Sequence, residues 1–327
     1  MPSEAPIDYY AIDPENETEV EALNAHFNLC FNAKRTLAKY YWKYGSPAAM
    51  HHRGFYALAD GQVVGQYNLL PVKLLTPLGV VQVVQAVDFC VSPDYRHGGM
   101  GLELVARVKA EAAGTFGALC FGFPNANSMA AGRFDHQGTT GLFILEADGV
   151  TPDLPDYSEH GVVMTHFAST SEVQQDWCDF MEQRMSTVGM GIHTHRTKEF
   201  LDWRWYAPNT HPMQYIEMRQ LEGDKEVHGF CAYQDTEWGL RIYELLGSEL
   251  TTHFLVEELR AKTKGAKRLL HGVTLMTPYV SNLVAEGFVL HGEGVLATFP
   301  LPGGEGGVGQ ALRDDTNWHA TWTDTDE

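Results

Sequence analysis

One segment of the chain dictates its own local fold. An apolar run from Val80 to Val91 is followed by Ser92-Pro93-Asp94-Tyr95-Arg96-His97-Gly98-Gly99-Met100-Gly101, and then by Leu102 to Ala113. The first piece reads as a buried strand, and the last as a helix with apolar positions Leu102, Val105, Ala106 and Val108. A strand that breaks into a glycine-rich turn and enters a helix leaves backbone N–H groups unpartnered at the positive end of the helix dipole. Such a turn is a ready anion site. Gly98, Gly99 and Gly101 remove side chains that would hold a phosphate away from the backbone. Arg96 adds a planar, permanently charged fork suited to phosphate oxygens. A plain strand-to-helix turn uses glycines in the same way, so these residues alone leave both readings open.

The order Val-x-Pro-x-x-Arg-x-x-Gly-x-Gly between strand and helix resembles motif A of the GCN5-related N-acetyltransferases (GNAT). Arg96, Gly99 and Gly101 fall on that motif's conserved-type positions, and Val91 and Pro93 match the end of the family's fourth strand. Downstream, Leu119 to Phe123 reads as the next strand. Asn127, Ala130 and Phe134 are then spaced as in the family's Asn-x-x-Ala-x-x-x-Tyr helix, followed by Gly138. The resemblance covers roughly residues 8 to 148 and implies an α/β (α+β) fold, a mixed and mostly antiparallel sheet flanked by helices. It also implies acetyl-CoA or another acyl-CoA as co-substrate. Its pyrophosphate would lie on Arg96, His97, Gly98, Gly99, Met100 and Gly101, with Asn127 in support. Phe89, Cys90 and Val91 would lie beside the reacting carbon, where a bulged strand frees a backbone donor. Phe134 departs from the family's tyrosine and carries no proton for a leaving thiolate; His136, Tyr95 and His97 are nearby substitutes.

At 327 residues the chain is long enough for two domains. No run of about 18 uninterrupted apolar residues occurs, and the first residues lack a signal-peptide pattern. Five scattered cysteines (30, 90, 120, 178 and 231) without a Cys-x-x-Cys pair read as reduced buried thiols of a cytoplasmic protein, with no metal role. The formal charge of −19 argues against nucleic acid and anionic membranes as partners. The charge would suit a cationic substrate such as an amine, although solubility accounts for most of it. A small-molecule amine acceptor is expected because a second domain would shelter the acceptor pocket, and a homodimer is left open.

The two halves of the chain repeat each other faintly. Tyr41-Trp42-Lys43-Tyr44-Gly45-Ser46-Pro47 parallels Asp202-Trp203-Arg204-Trp205-Tyr206-Ala207-Pro208. Each is followed by an alternating hairpin pattern, Phe55–Leu70 turning at Asp60-Gly61 and Gln214–Tyr233 turning at Glu222-Gly223, with Gly65 and Gly229 in matching places. A helix over Phe254–Thr263, a strand over Arg268–Leu275 and a short helix over Tyr279–Glu286 continue the match. The spacing falls from about 161 residues at the tryptophans to about 149 at Gly138 and Gly287, which places a deletion near the glycine loop. Leu245 to Leu250 indeed lacks the Arg-x-x-Gly-x-Gly pattern. A duplicated fold follows: a first domain at 1–150 that binds acyl-CoA, a degenerate copy at 160–300, and a tail at 301–327 that is Gly-rich, then acidic with Trp318 and Trp322.

Acyl transfer from a thioester to an amine needs a donor for the developing oxyanion, a proton acceptor for the amine and a proton for the thiolate. Asp88, a carboxylate in an apolar strand, is the expected base or amine anchor, with burial raising its pKa; a structural aspartate satisfied by backbone donors is the alternative. Cys90 is a candidate acyl-accepting thiol, although no histidine neighbours it in sequence; an inert buried cysteine is the plainer reading. His193-Thr194-His195 and His51-His52 are weak metal signals. Trp177, Trp203, Trp205 and Trp238 read as packing of the second core. The expected activity is direct transfer of an acyl group, acetyl first, to a small-molecule amine. The alternatives are a longer or different acyl group, or a non-catalytic acyl-CoA sensor.

Overall fold

The computed structural model describes residues 6–45, 53–116, 119–123, 139–148, 154–167, 173–187, 191–206, 208, 211–223, 226–263, 268–274 and 280–300. The first half opens with strand β1 (Asp8–Ala11) and helix α1 (Glu17–Phe31). The Asn16 side chain accepts the Glu19 N–H at the start of α1, and Asn32, at a φ of 50°, ends it in the left-handed conformation. Helix α2 (Leu37–Tyr44) is capped in the same manner by Thr36. Strands β2 (Arg53–Ala59) and β3 (Gln62–Thr76) form the expected hairpin, with Asp60 and Gly61 both at positive φ as a tight primed turn requires. Then come β4 (Gly79–Val91), helix α3 (Met100–Phe116), β5 (Leu119–Gly122) and β6 (Thr139–Asp148).

The second half retraces this order. It runs through β7 (Val162–Phe167), α4 (Gln175–Thr187), the short β8 (His193–Thr194) and α5 (Lys198–Trp205). There follow β9 (Met213–Gln220), β10 (Val227–Asp235), β11 (Gly239–Gly247), α6 (Glu249–Thr263), β12 (Arg268–Thr274), α7 (Val280–Ala285) and β13 (Val289–Pro300). The expected helix at 254–263 therefore begins five residues earlier, directly after β11.

The halves do not form two separate sheets. The described strands make one 13-stranded sheet in the order β1-β2-β3-β4-β5-β13-β6-β12-β11-β10-β9-β7, with β8 on β3. The last strand of each half lies against the other half. Strand β13 pairs antiparallel with β5, and β6 pairs antiparallel with β12, while β6 and β13 pair with each other. Outside this exchange, β4 runs parallel to β5 and β11 runs parallel to β12. The exchange covers the strand edges that two separate sheets would leave open.

Side-chain detail carries the repeat further than the sequence does. The Trp42 indole donates to the Trp203 carbonyl at 2.6 Å, and the Trp203 indole donates to the Trp42 carbonyl at 2.7 Å. The two rings stack with centroids 5.6 Å apart. Such reciprocity between matched residues is what an axis of approximate twofold symmetry produces. The Thr197 side chain caps α5 as Thr36 caps α2. Thr76 and Thr236 close their hairpins with the same bond to Gly79 and Gly239, each 2.8 Å. A Cβ on Gly65 would lie 3.0 Å from Met100 and Leu104 of α3; on Gly229 it would lie 3.2–3.3 Å from Thr251 and Leu255 of α6.

Helix α3 buries Met100, Leu104, Val105, Val108 and Ala112 against the sheet, each large side chain contributing about 1.5–3 kcal/mol. Leu102 and Ala106, expected among the apolar positions, point outward, because the buried stripe runs through Met100, Leu104, Val108 and Ala112 at four-residue spacing with Val105 beside it. The opposite face of β3 and β4 is covered by α1 and α2 through Val20, Leu23, Tyr40 and Tyr44. In the second half Trp177 and Trp205 are core residues as expected, whereas Trp238 is 76% exposed at a hairpin tip. No described helix is long and apolar enough to cross a membrane.

Candidate active site

The site begins with an irregularity in β4. Its pairing with β3 runs in register from Thr76 opposite Gly79 to Asn68 opposite Val87, and resumes with Gln66 opposite Cys90. Asp88 and Phe89 thus face the single residue Tyr67, a β-bulge. Asp88 sits at a φ of 51°, a left-handed conformation that aspartate tolerates better than most residues. On its other side β4 pairs with β5 at Val84 and Gln85. Gly122 lets the strands approach one step further: a Cβ there would lie 2.9 Å from the Ala86 carbonyl oxygen. Past the bulge, successive N–H groups of Phe89, Cys90 and Val91 alternate sides, so at least one is directed away from β3.

The segment after β4 is short and turned on itself. Ser92 N–H bonds Val64 O at 2.8 Å, and Pro93–Tyr95 forms one turn of 3₁₀ helix. Arg96 Nε donates to Val91 O at 3.1 Å, which ties its guanidinium to the end of β4. Gly99 lies at a φ of 80° and its carbonyl accepts the Glu103 N–H, so α3 starts there and its first N–H groups lack helical acceptors. Arg96, His97, Gly98 and Gly99 are exposed, and a Cβ on Gly98 or Gly99 would meet nothing within 4 Å. A Cβ on Gly101 would lie 3.3 Å from the Phe89 ring. The bulged end of β4 and the start of α3 are therefore in contact. Met100 is 1% exposed and its side chain belongs to the core beneath α3, so only its backbone faces the turn. Asn127, Phe134 and His136 lie outside the described residues, as do His51, His52 and the tail.

Asp88 is not placed to be a base. Its carboxylate is buried, 2.5 Å from Arg35 Nη1 and 2.8 Å from Lys43 Nζ, and the Tyr44 hydroxyl donates to it. Burial pushes its pKa up, but the charges of Lys43 and Arg35 and the bonds from Lys43 and Tyr44 outweigh burial and hold it well below the usual carboxylate range. The expected upward shift is thus reversed, since sequence alone did not place two cations beside the strand. Arg35 is itself clamped: Nε donates to Asn24 Oδ1 at 2.7 Å, and its plane lies 3.6 Å from the Phe27 ring centroid. Arg35, Lys43 and Tyr44 were missed in the sequence. One signal was there, because Arg35-Thr36 recurs as Arg196-Thr197 at the separation that relates Trp42 to Trp203. In the second half Arg196 is fully buried and donates to Glu244 Oε1 from Nε at 3.0 Å and from Nη2 at 2.7 Å. Glu244 also sits at a bulge, between β10 and β11.

Cys90 has a histidine neighbour that its sequence context hides. His26 Nδ1 lies 3.7 Å from Cys90 Sγ, and His26 Nε2 lies 3.4 Å from Cys30 Sγ. Burial, then the neighbouring Cys30, push the Cys90 thiol well above its ordinary value. Cys30 is pulled down to about 5 by its bond with Cys90, against burial and with help from His26. Cys90 is therefore a poor nucleophile, and Cys30 is not an ordinary buried thiol. Elsewhere His193 is buried with Nδ1 3.0 Å from Thr194 O, and His195 pairs with Glu182 at 2.8 Å, so the two histidines face different partners.

A family model described as an acetyltransferase (GNAT) domain matches residues 11–135. No curated protein matches the sequence. Among solved structures, a GCN5-related N-acetyltransferase from Anabaena variabilis superposes with a TM-score of 0.67 at 12% identity, covering 90% of this chain and 72% of its own. A tandem GNAT protein from the clavulanic acid biosynthesis pathway gives 0.63 at 13% identity, covering 90% of this chain and 99% of its own. Saccharomyces cerevisiae N-myristoyltransferase, solved with myristoyl-CoA, gives 0.55 at 12% identity, covering 92% and 84%. At these identities the likeness concerns the fold, and it extends over both halves. Residues 11–135 thus match the GNAT domain model, and the described strands and helices, with the bulged β4 and the glycine turn after it, follow the GNAT fold in a tandem arrangement.

Proposed function

We propose that the chain transfers an acyl group from CoA to the amine of a small molecule by direct attack on the thioester. The observation that carries this reading is the contact between the bulged end of β4 and the start of α3. An N–H freed at Phe89, Cys90 or Val91 is suited to the developing oxyanion. A few residues on, the N–H groups from Gly99 onward and the Arg96 side chain are suited to a diphosphate. The residues fit the group: the turn is open where Gly98 and Gly99 stand, and a side chain there would fill the space a phosphate needs.

Direct attack agrees with the raised thiol of Cys90, which makes an acyl-enzyme at that position unfavourable. Asp88 holds the bulge through Arg35 and Lys43 rather than accepting the amine's proton. Acetyl is the first acyl group to test. Calorimetric titration with acetyl-CoA, and release of CoA thiol in the presence of amino sugars, amino acids and polyamines, tests the reading. Binding with turnover on one class is the expected result. Absence of acetyl-CoA binding would overturn it, and tight binding without turnover on any amine would favour the sensor.

A further inference from the structure

We propose that His26, Cys30 and Cys90 form a binding site for a thiophilic divalent metal ion of the zinc class. One donor atom from each lies within 4.8 Å of the other two. Helix α1 contributes His26 and Cys30 one turn apart, so both side chains share a face. Cys90 comes from β4, two residues past the bulge. Two sulfurs and an imidazole nitrogen are the donors that a borderline-soft cation selects over oxygen-seeking ions.

The three donors lie within reach of one tetrahedral centre. Metal–nitrogen bonds of about 2.0–2.1 Å and metal–sulfur bonds of about 2.3 Å give N···S edges of about 3.5 Å. Here Cys90 Sγ lies 3.7 Å from Nδ1, close to that edge, and one donor atom from each of His26, Cys30 and Cys90 lies within 4.8 Å of the other two, with Cys30 on the Nε2 side of the ring. Ser92 Oγ, 3.1 Å from Nε2, can accept the Nε2 proton when Nδ1 ligates, which fixes the ring as metal-bound histidines require. Cys30 is only partly buried, giving an ion a way in, and three protein ligands leave a fourth position for water. The other three-ligand group among the described residues, His253, Glu257 and Glu286, differs in kind. Arg260 already lies 2.5 Å from Glu257 and 3.6 Å from Glu286, so its carboxylates are engaged.

A metal here ties α1 to the end of β4 beside the turn. The test is titration of the reduced, metal-free full chain with Co²⁺. One equivalent is expected to give thiolate-to-cobalt charge-transfer absorption in the near ultraviolet, which Zn²⁺ then displaces. C30S and C90S are each expected to lose that absorption while retaining the far-ultraviolet circular dichroism of the parent. A variant-free readout is thiol labelling of the native chain, in which Zn²⁺ is expected to protect Cys30 and Cys90. No absorption at one equivalent, absorption that persists in C30S, or labelling that Zn²⁺ leaves unchanged would overturn the proposal. None of these results bears on acyl-CoA binding, which is measured separately.

Discussion

Between the end of β4 and the start of α3 the first half has residues 92–99, whereas between β11 and α6 the second half has Ser248 alone. Everything around that gap is kept. Both halves have a buried arginine one residue before a threonine cap, and both pair it with an acid at a bulge: Arg35 with Asp88, Arg196 with Glu244. The halves thus differ in the turn that can hold an anion and agree in the ion pair that shapes the strand. The comparison teaches that the buried pair belongs to the framework of this fold, because it persists where the turn is gone.

The largest effect expected from breaking this parallel is on stability. Glu244→Gln leaves Arg196 fully buried without its charge partner, and should cost about 3–5 kcal/mol in urea denaturation. Asp88→Asn tolerates the left-handed conformation but strands Arg35 and Lys43, so a loss of similar size, about 3–5 kcal/mol, is expected. Full stability together with lost turnover in Asp88→Asn would instead make Asp88 catalytic and end the parallel. The pH dependence sharpens it. The folded pKa of Asp88 lies below its unfolded value of about 3.9, so its contribution is whole above about pH 5 and is lost as the pH falls. Asp88→Asn should flatten that acid limb of the stability profile.

Next in size is an effect on binding alone. Gly98→Glu adds a negative charge where a side chain meets nothing within 4 Å, so the melting temperature should hold. Affinity for acetyl-CoA, followed by calorimetry, should fall about tenfold or more, the equivalent of about 1.4 kcal/mol and the scale of one charged hydrogen bond. Ser248→Glu, at the shortened turn of the other half, should leave affinity unchanged. The smallest effect concerns the axis. Trp42→Phe and Trp203→Phe each remove one indole donor of a half-buried bond, and each should cost about 1 kcal/mol in chemical denaturation. The double variant should cost less than their sum, since the rings stack on each other.

Much of the framework was legible along the chain. The Asp60-Gly61 hairpin and the glycine turn rest on local signals, and the correspondence of Trp42 with Trp203 on an aromatic repeat; that the two indoles bond and stack was not legible. The site was legible only in outline. Asp88 reads as a lone carboxylate in an apolar strand until Arg35 and Lys43 arrive from 53 and 45 residues away, and with them the direction of its pKa reverses. His26 reaches Cys90 across 64 residues, which no spacing rule spans.

The order of residues by itself determined which segments become strands, turns and helices, because dihedral preference and side-chain periodicity act within a few residues. It also determined that the chain repeats, and where the repeat is shortened. Only the tertiary structure decided that β6 and β13 change places to make one sheet, that Asp88 is held between Arg35 and Lys43, and that His26, Cys30 and Cys90 converge. Charge, desolvation and strand pairing depend on neighbours in space, and those neighbours are set only when the two halves close on each other.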